Sequence, residues 1–236
     1  MARAKKVKEV EEYKIVLPKI DDNGKSRFSY SQYNKWKTSK KDYFKSYFLG
    51  ERFDGNAYTE FGTLVGEALE NDDYKDFNDK ERAVLSQVTR LDQFERRIDF
   101  DLGGFTVLGF IDTNDLLMDG IKGDAKEIVD TIVDYKTGAL NKVEVYEDDG
   151  YDQVTIYAGA IEQETGYLPT KGWVELIERT GNPFKGESLK LGNKVVVIPQ
   201  DVSKEAVEAV KINLIKVATE ISKSYAVFNK LNAITV

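Results

Sequence analysis

Apolar and polar positions along this chain follow two periods, and the switches between them divide it into elements. Residues 97–111 alternate around Gly103-Gly104, which predicts a β-hairpin with both glycines at positive φ. Its second strand is expected to run to about Met118, followed by a turn in the charges and Asp-Gly pairs of 119–127. The run Ile128 to Gly138 then reads as a buried strand. Alternation puts Ile128, Ile132, Asp134 and Lys136 on one face and Val129, Val133 and Tyr135 on the other. Three neighbouring antiparallel strands follow. Two more are read at 171–178 and 193–199, linked by a Gly- and Lys-rich loop at 180–192.

Helical spacing marks 56–71, 150–165 and 203–230. In the last, Val207, Val210, Leu214, Val217 and Ile221 form an apolar stripe behind Ser203, which is suited to an N-cap. Together the elements predict one α/β domain, a central mixed β-sheet flanked by helices. Residues 1–24 read as an N-terminal arm and 25–236 as the single domain.

The chemistry concentrates in Asp134-Tyr135-Lys136. An apolar strand has no structural need for an acid and a base on its core face, and burying charge is costly unless it is paired or binds a metal. Asp73-Tyr74-Lys75 and Asp124-Ala125-Lys126 share the spacing but sit in polar surroundings and read as solvated surface. Asp112 closes the apolar segment 105–111 and is expected on the strand beside Asp134. Two carboxylates brought together repel, and a cation between them resolves the conflict. Hard oxygen ligands favour Mg²⁺ or Mn²⁺. Along the 56–71 helix Gly62, Gly66 and Glu70 lie in register, and Gln153 and Tyr157 sit one turn apart on the 150–165 helix.

This order of features resembles the PD-(D/E)XK nuclease superfamily, in the branch that includes the RecB nuclease domain and the CRISPR adaptation nucleases. The resemblance runs from about Phe28 onward. Ser29-Tyr30-Ser31 resembles the start of the branch's N-terminal helix, 62–70 its first motif, 109–112 its second and 134–138 its third. Gln153 and Tyr157 match its Gln-x-x-x-Tyr helix. The resemblance implies a restriction-endonuclease-like core and a Mg²⁺- or Mn²⁺-dependent DNA nuclease, of exonuclease type, serving recombination, repair or replication in a phage-like setting. In that reading Asp112, Asp134 and the Tyr135 main-chain carbonyl bind metal, and Lys136 positions the attacking water. Gln153 and Tyr157 orient the helix or contact DNA. A recombination or replication protein is a second partner class, and the oligomeric state is left open.

Two departures bear on this. The branch usually carries a metal-binding His in the first motif. Gly66 holds that slot here, and the chain has no histidine. Glu70, one turn further, is the expected replacement, with Glu67 about 100° around the helix as the weaker choice. The chain also lacks cysteine, which excludes the iron–sulfur cluster of some relatives and any disulfide. The rival reading is a catalytically impaired nuclease-fold module that binds DNA or a protein partner. A metal hydrolase acting on small phosphoesters is disfavoured by the lack of other clustered ligands.

Net charge is −7, but residues 25–52 carry eight Lys or Arg against two acids. Lys37, Lys40 and Lys41 are candidate phosphate contacts there, among aromatics read mainly as core. No segment is long and apolar enough to span a membrane, and the N-terminus lacks the apolar run of a signal peptide, so a cytoplasmic location is expected.

Overall fold

The computed structural model of the chain describes residues 14–52, 54–119, 126–148 and 151–234. Two short strands, β1 (Lys19–Ile20) and β2 (Ser26–Phe28), pair antiparallel around a turn in which the Asp21 carboxylate accepts from the N–H groups of Asn23 and Lys25. The next segments are α1 (Tyr30–Thr38), α2 (Lys40–Tyr43), a π-helical turn at Phe44–Phe48, α3 (Ala57–Asn71) and α4 (Asp79–Leu85). Ser29 caps α1 by accepting from the Gln32 N–H. Asn56 and Thr59 close a reciprocal capping box on α3, which stops where Asp72 turns left-handed at φ 55°.

The hairpin β3 (Gln93–Asp101) and β4 (Thr106–Asn114) follows, then β5 (Leu117–Asp119), β6 (Lys126–Ile128) and β7 (Thr131–Gly138). Here the structure corrects three expectations. Only Gly103 of the turn pair has positive φ, at 78°. The second hairpin strand stops at Asn114 instead of running to Met118. The apolar strand from 128 is two pieces, because β6 pairs with β5 in a separate ribbon while β7 joins the main sheet. The expected turn at 119–127 and the Asp124-Ala125-Lys126 segment lie largely outside the described residues.

After α5 (Val143–Glu147) and α6 (Gln153–Thr165), the hairpin β8 (Lys171–Thr180) and β9 (Lys190–Pro199) extends further than expected, leaving a loop of 181–189. The chain continues into α7 (Lys204–Ile234), where Ser203 Oγ accepts from the Ala206 N–H. The main sheet has seven strands in the order β1-β2-β4-β7-β8-β9, with β3 paired on β4, and is mixed: β2–β4 and β7–β8 are parallel, the other pairs antiparallel. Helices cover both faces. Ile132, Val174 and Leu176 pack with α6, α7 and α1, while Ile177 and Leu191 pack with α3 and α4. Residues 154–161 of α6 are buried all round, so this helix is an inner layer and not a surface flank.

One detail of the sheet positions everything that follows. β3 occupies one whole edge of β4, pairing from Asp101–Thr106 to Gln93–Asn114. The other edge is shared: β2 pairs at Thr106 and Val107, and β7 only at Thr113 and Asn114. Between them, residues 108–112 have no strand partner. Their main-chain groups need other partners.

Candidate metal and phosphodiester site

The gap along β4 is filled from α6. A side chain at Gly109 would bring its Cβ to 2.6 Å from the Tyr157 ring, so glycine is what lets the ring lie against the strand. The Tyr157 phenol bonds the main chain of Phe110 and accepts from Gln153 Nε2 at 2.7 Å. Tyr157 is 4% exposed and braces the helix against the strand; it does not reach solvent. Gly109→Ala is therefore expected to cost about 1–3 kcal/mol by overpacking, seen as a lower melting midpoint, while Gly66→Ala, whose Cβ meets nothing within 4 Å, leaves the ring's seat untouched. An unchanged midpoint for Gly109→Ala would show that Tyr157 is not seated there.

At the end of the gap Asp112 takes over from the ladder. Its Oδ2 accepts from the Tyr135 N–H at 2.5 Å, where β7 swings away from β4. Asp134, the residue after Val133, where β7 last pairs with β4, is fully buried. Its Oδ2 meets the Lys136 ammonium, and Tyr151 Oη lies 3.1 Å away. Its Oδ1 has no hydrogen-bond partner. Tyr151 is also 2.9 Å from Gln153 Oε1, so Asp134, Tyr151, Gln153 and Tyr157 form one chain of polar contacts behind the site. Lys136 Nζ also reaches the Tyr135 carbonyl at 3.3 Å.

The electrostatics are those of crowded acids. Burial, then the Asp134 charge, pushes the Asp112 carboxyl up to about 7 against the opposing pull of Lys136 and the Tyr135 N–H. Burial works to lower the Lys136 pKa, but the charges of Asp134 and Asp112 outweigh it and the ammonium is held protonated. A cavity of about 570 Å³ opens beside them, lined by Asp112, Tyr135 and Lys136 from the strands and by Gly62, Gly66, Glu67 and Glu70 from α3. At Gly62 a Cβ would meet Thr137 Oγ1 at 3.4 Å, an ordinary contact. At Gly66 a Cβ would meet nothing within 4 Å. The slot faces open cavity.

Sequence reasoning missed Glu95. In the β3–β4 register Glu95 falls directly opposite Asp112, and the ladder skips this pair. Like charges directly opposed are destabilising, and Glu95 also sits at φ 48°, a conformation unfavourable for a side chain with a Cβ. Burial, and then the charge of Glu70, raises its pKa. It lines the cavity with Glu67 and Glu70. Nothing in the local pattern marks it, because its role depends on the partner strand.

The donor set is compatible with a hard divalent ion. Every acid is an oxygen donor, one buried carboxylate oxygen is unpartnered, and the carboxylates crowd against each other. Among the described residues no three His, Cys, Asp or Glu side chains come together tightly enough to enclose an ion unaided. An ion held here would therefore keep part of its coordination shell as water. Of the lysines, Lys37 pairs with Asp152 at 3.3 Å and lines a neighbouring groove, Lys40 lies against Glu220 and the Trp36 ring, and Lys41 is exposed. Tyr33, Trp36 and Tyr43 are core, as expected for most rings of this segment. No helix among the described residues is long and apolar enough to cross a membrane.

No protein-family profile and no curated protein matches this chain. Among solved structures, the chain is similar to a protein from Eubacterium rectale named "Putative exonuclease". The TM-score is 0.51, covering 85% of this chain and 82% of that one, at 15% identity. At that identity the likeness is one of architecture: the chain has a nuclease-like α/β fold.

Proposed function

We propose that this protein is a divalent-metal-dependent DNA nuclease of the PD-(D/E)XK superfamily, in the RecB-like branch without an iron–sulfur cluster, acting as an exonuclease in recombination, repair or replication. The observation that carries the reading is the meeting of Asp112, Asp134 and Lys136 where β4 and β7 part, with a buried, unpartnered oxygen on Asp134.

Asp112, Asp134 and the Tyr135 carbonyl would hold the ion, with Glu70, one turn along α3 from the Gly66 slot, as a further acid. Mg²⁺ or Mn²⁺, when bound, supplies Lewis-acid polarisation of phosphate and water. The chain's own groups do the rest. The Lys136 ammonium donates to the attacking water and to the charge that grows on the phosphoryl oxygens. Tyr151 and Gln153 keep Asp134 from turning away, and Tyr157 locks their helix to β4.

The test is end-labelled linear duplex and single-stranded DNA incubated with Mg²⁺, Mn²⁺ or EDTA. Loss of label that requires metal supports the nuclease, and the fragment pattern gives polarity. A protein that binds DNA but cuts with neither ion is instead the impaired binding module.

Gly66 provides a second check. A histidine placed there enters open cavity, so Gly66→His is expected to fold normally and to tighten Mn²⁺ binding by about tenfold, or ~1.4 kcal/mol, in calorimetry. Glu70→Gln should weaken it. If neither variant alters metal affinity, the cavity beside α3 is not where the ion binds.

A further inference from the structure

Lys136 lines a second cavity as well, of about 810 Å³, between α1 and the 145–153 segment. Its walls include Asn34 and Lys37 from α1, with Tyr30, Tyr146 and Tyr151 facing the same space. These rings form the first of two groups along one side of Lys136. Tyr30 meets Tyr151 edge-on at 5.5 Å between centroids, and Tyr151 meets Tyr146 edge-on at 5.0 Å. Tyr146 lies close enough to Lys136 and to Arg179 for both charges to act on its phenol. Arg179 in turn stacks over Tyr58 at 4.1 Å, and Tyr58 lies 6.1 Å from Phe184. Together the two groups form an interrupted row that ends on the β8–β9 loop.

Packing does not account for all of it. Phe184 is 85% exposed at the loop tip, and Tyr146 and Tyr58 are only partly buried. The charges also differ between the two sides of Lys136. The cavity beside α3 carries Glu67, Glu70, Glu95 and Asp112 and repels phosphate along its wall. The second cavity is mixed, with Lys35, Lys37 and Lys136 outnumbering Asp42 and Asp148, and the ring row adds Arg179. Phosphate is drawn to the row, and exposed ring faces offer stacking partners to bases. A duplex has its bases stacked on one another and presents no free face, whereas an unpaired strand does.

We propose that this row is the track of a single DNA strand: its bases stack on Phe184, Tyr146 and the neighbouring rings, and a phosphodiester between them is held at Lys136. The role given to Lys136 rests on the nuclease reading; the strand preference does not.

The experiment is fluorescence anisotropy in EDTA with a labelled oligo-dT strand and a labelled duplex of the same length, titrated with the full chain at two salt concentrations. The strand is expected to bind at least about tenfold more tightly than the duplex. Phe184→Ala and Tyr146→Leu should each weaken strand binding by on the order of 5- to 150-fold, the range for losing one stacked base. Tyr146→Phe, which keeps the ring, should restore it. The salt dependence should stay unchanged in these variants, because no phosphate contact is lost. Phe184 is exposed, so its variant stays informative even if Tyr146→Leu fails to fold. Duplex binding as tight as strand binding, or an unaffected Phe184→Ala, overturns the track. Ring-dependent strand binding by a protein that cuts with neither metal supports the track and sinks the nuclease. Metal-dependent cutting without strand preference does the reverse.

Discussion

Lys136→Met and Asp134→Asn are each expected to lower metal-dependent DNA cleavage by about 10²–10³-fold or more, the scale of removing a preorganised charge from a reacting centre. Asp134 has one oxygen held by Lys136 and Tyr151 and one without any protein partner, so it is committed on one side and available on the other. Its amide variant keeps the shape and loses the charge. Lys136→Met loses the ammonium and leaves Asp134 as a buried carboxylate without its cation, a situation that typically costs about 3–5 kcal/mol. Activity must therefore be compared below the unfolding transition, monitored by circular dichroism. Lys136→Arg separates the two effects: it keeps a cation for Asp134 but displaces the donor, so it should fold well and cut poorly. The double variant Asp134→Asn, Lys136→Met should recover stability relative to Lys136→Met alone while staying inactive. A folded single variant cutting at the wild-type rate would remove Lys136 or Asp134 from the mechanism.

Asp112→Asn is expected to stabilise the metal-free protein at pH 8 and leave it unchanged near pH 3. In the fold, burial and the facing charges of Asp134 and Glu95 raise the Asp112 carboxyl from 3.8 to about 7, only partly offset by Lys136 and the Tyr135 N–H. Between those values the folded state binds the proton that the unfolded chain has released. Stability therefore falls as pH rises through this window and levels off above it. Below it both states are protonated and nothing is lost. A shift of about three pKa units corresponds to an upper figure of ~4 kcal/mol at 1.36 kcal/mol per unit. Solvent access and coupling to Asp134 reduce this to on the order of 2 kcal/mol, or about 4–8 °C in a chain of this size. The asparagine keeps an oxygen to accept from the Tyr135 N–H. Thermal melts of both proteins in EDTA from pH 3 to 8 should diverge upward in favour of the variant. Added Mn²⁺ should raise the wild-type midpoint by mass action and raise the variant's much less. Parallel curves at all pH values would mean that Asp112 carries no such burden. The variant should also be inactive, trading function for stability.

Much of the site could be read before any fold was known. Asp134 and Lys136 stand out because an alternating apolar run gives their faces, and a charged pair on such a run demands a reason. Asp112 stands out because an apolar segment ends on it. The helices read from spacing at 56–71, 150–165 and 203–230, the last with Ser203 as its cap, correspond to α3, α6 and α7. Boundaries were less so. The 128–138 run is apolar on both sides of Val129 and Asp130, and only pairing with β5 separates β6 from β7. Likewise, that Tyr157 is buried against Gly109 and braces β4 is something that spacing on a helix cannot supply.

The local chemistry is written in the residues alone: which strands carry acids, which helix carries Gln153 and Tyr157, that no imidazole or thiolate is available, and that positive charge gathers at 25–52. These depend on composition and on periods of a few residues, which any chain segment expresses alone. It took the folded chain to set Glu95 against Asp112, to leave one edge of β4 without a strand partner over 108–112, and to gather rings from α1, α3, α5 and the β8–β9 loop on one side of Lys136. Each joins residues far apart in the chain, and strand register and edge sharing select those pairs through the packing of the whole sheet, not through any local preference.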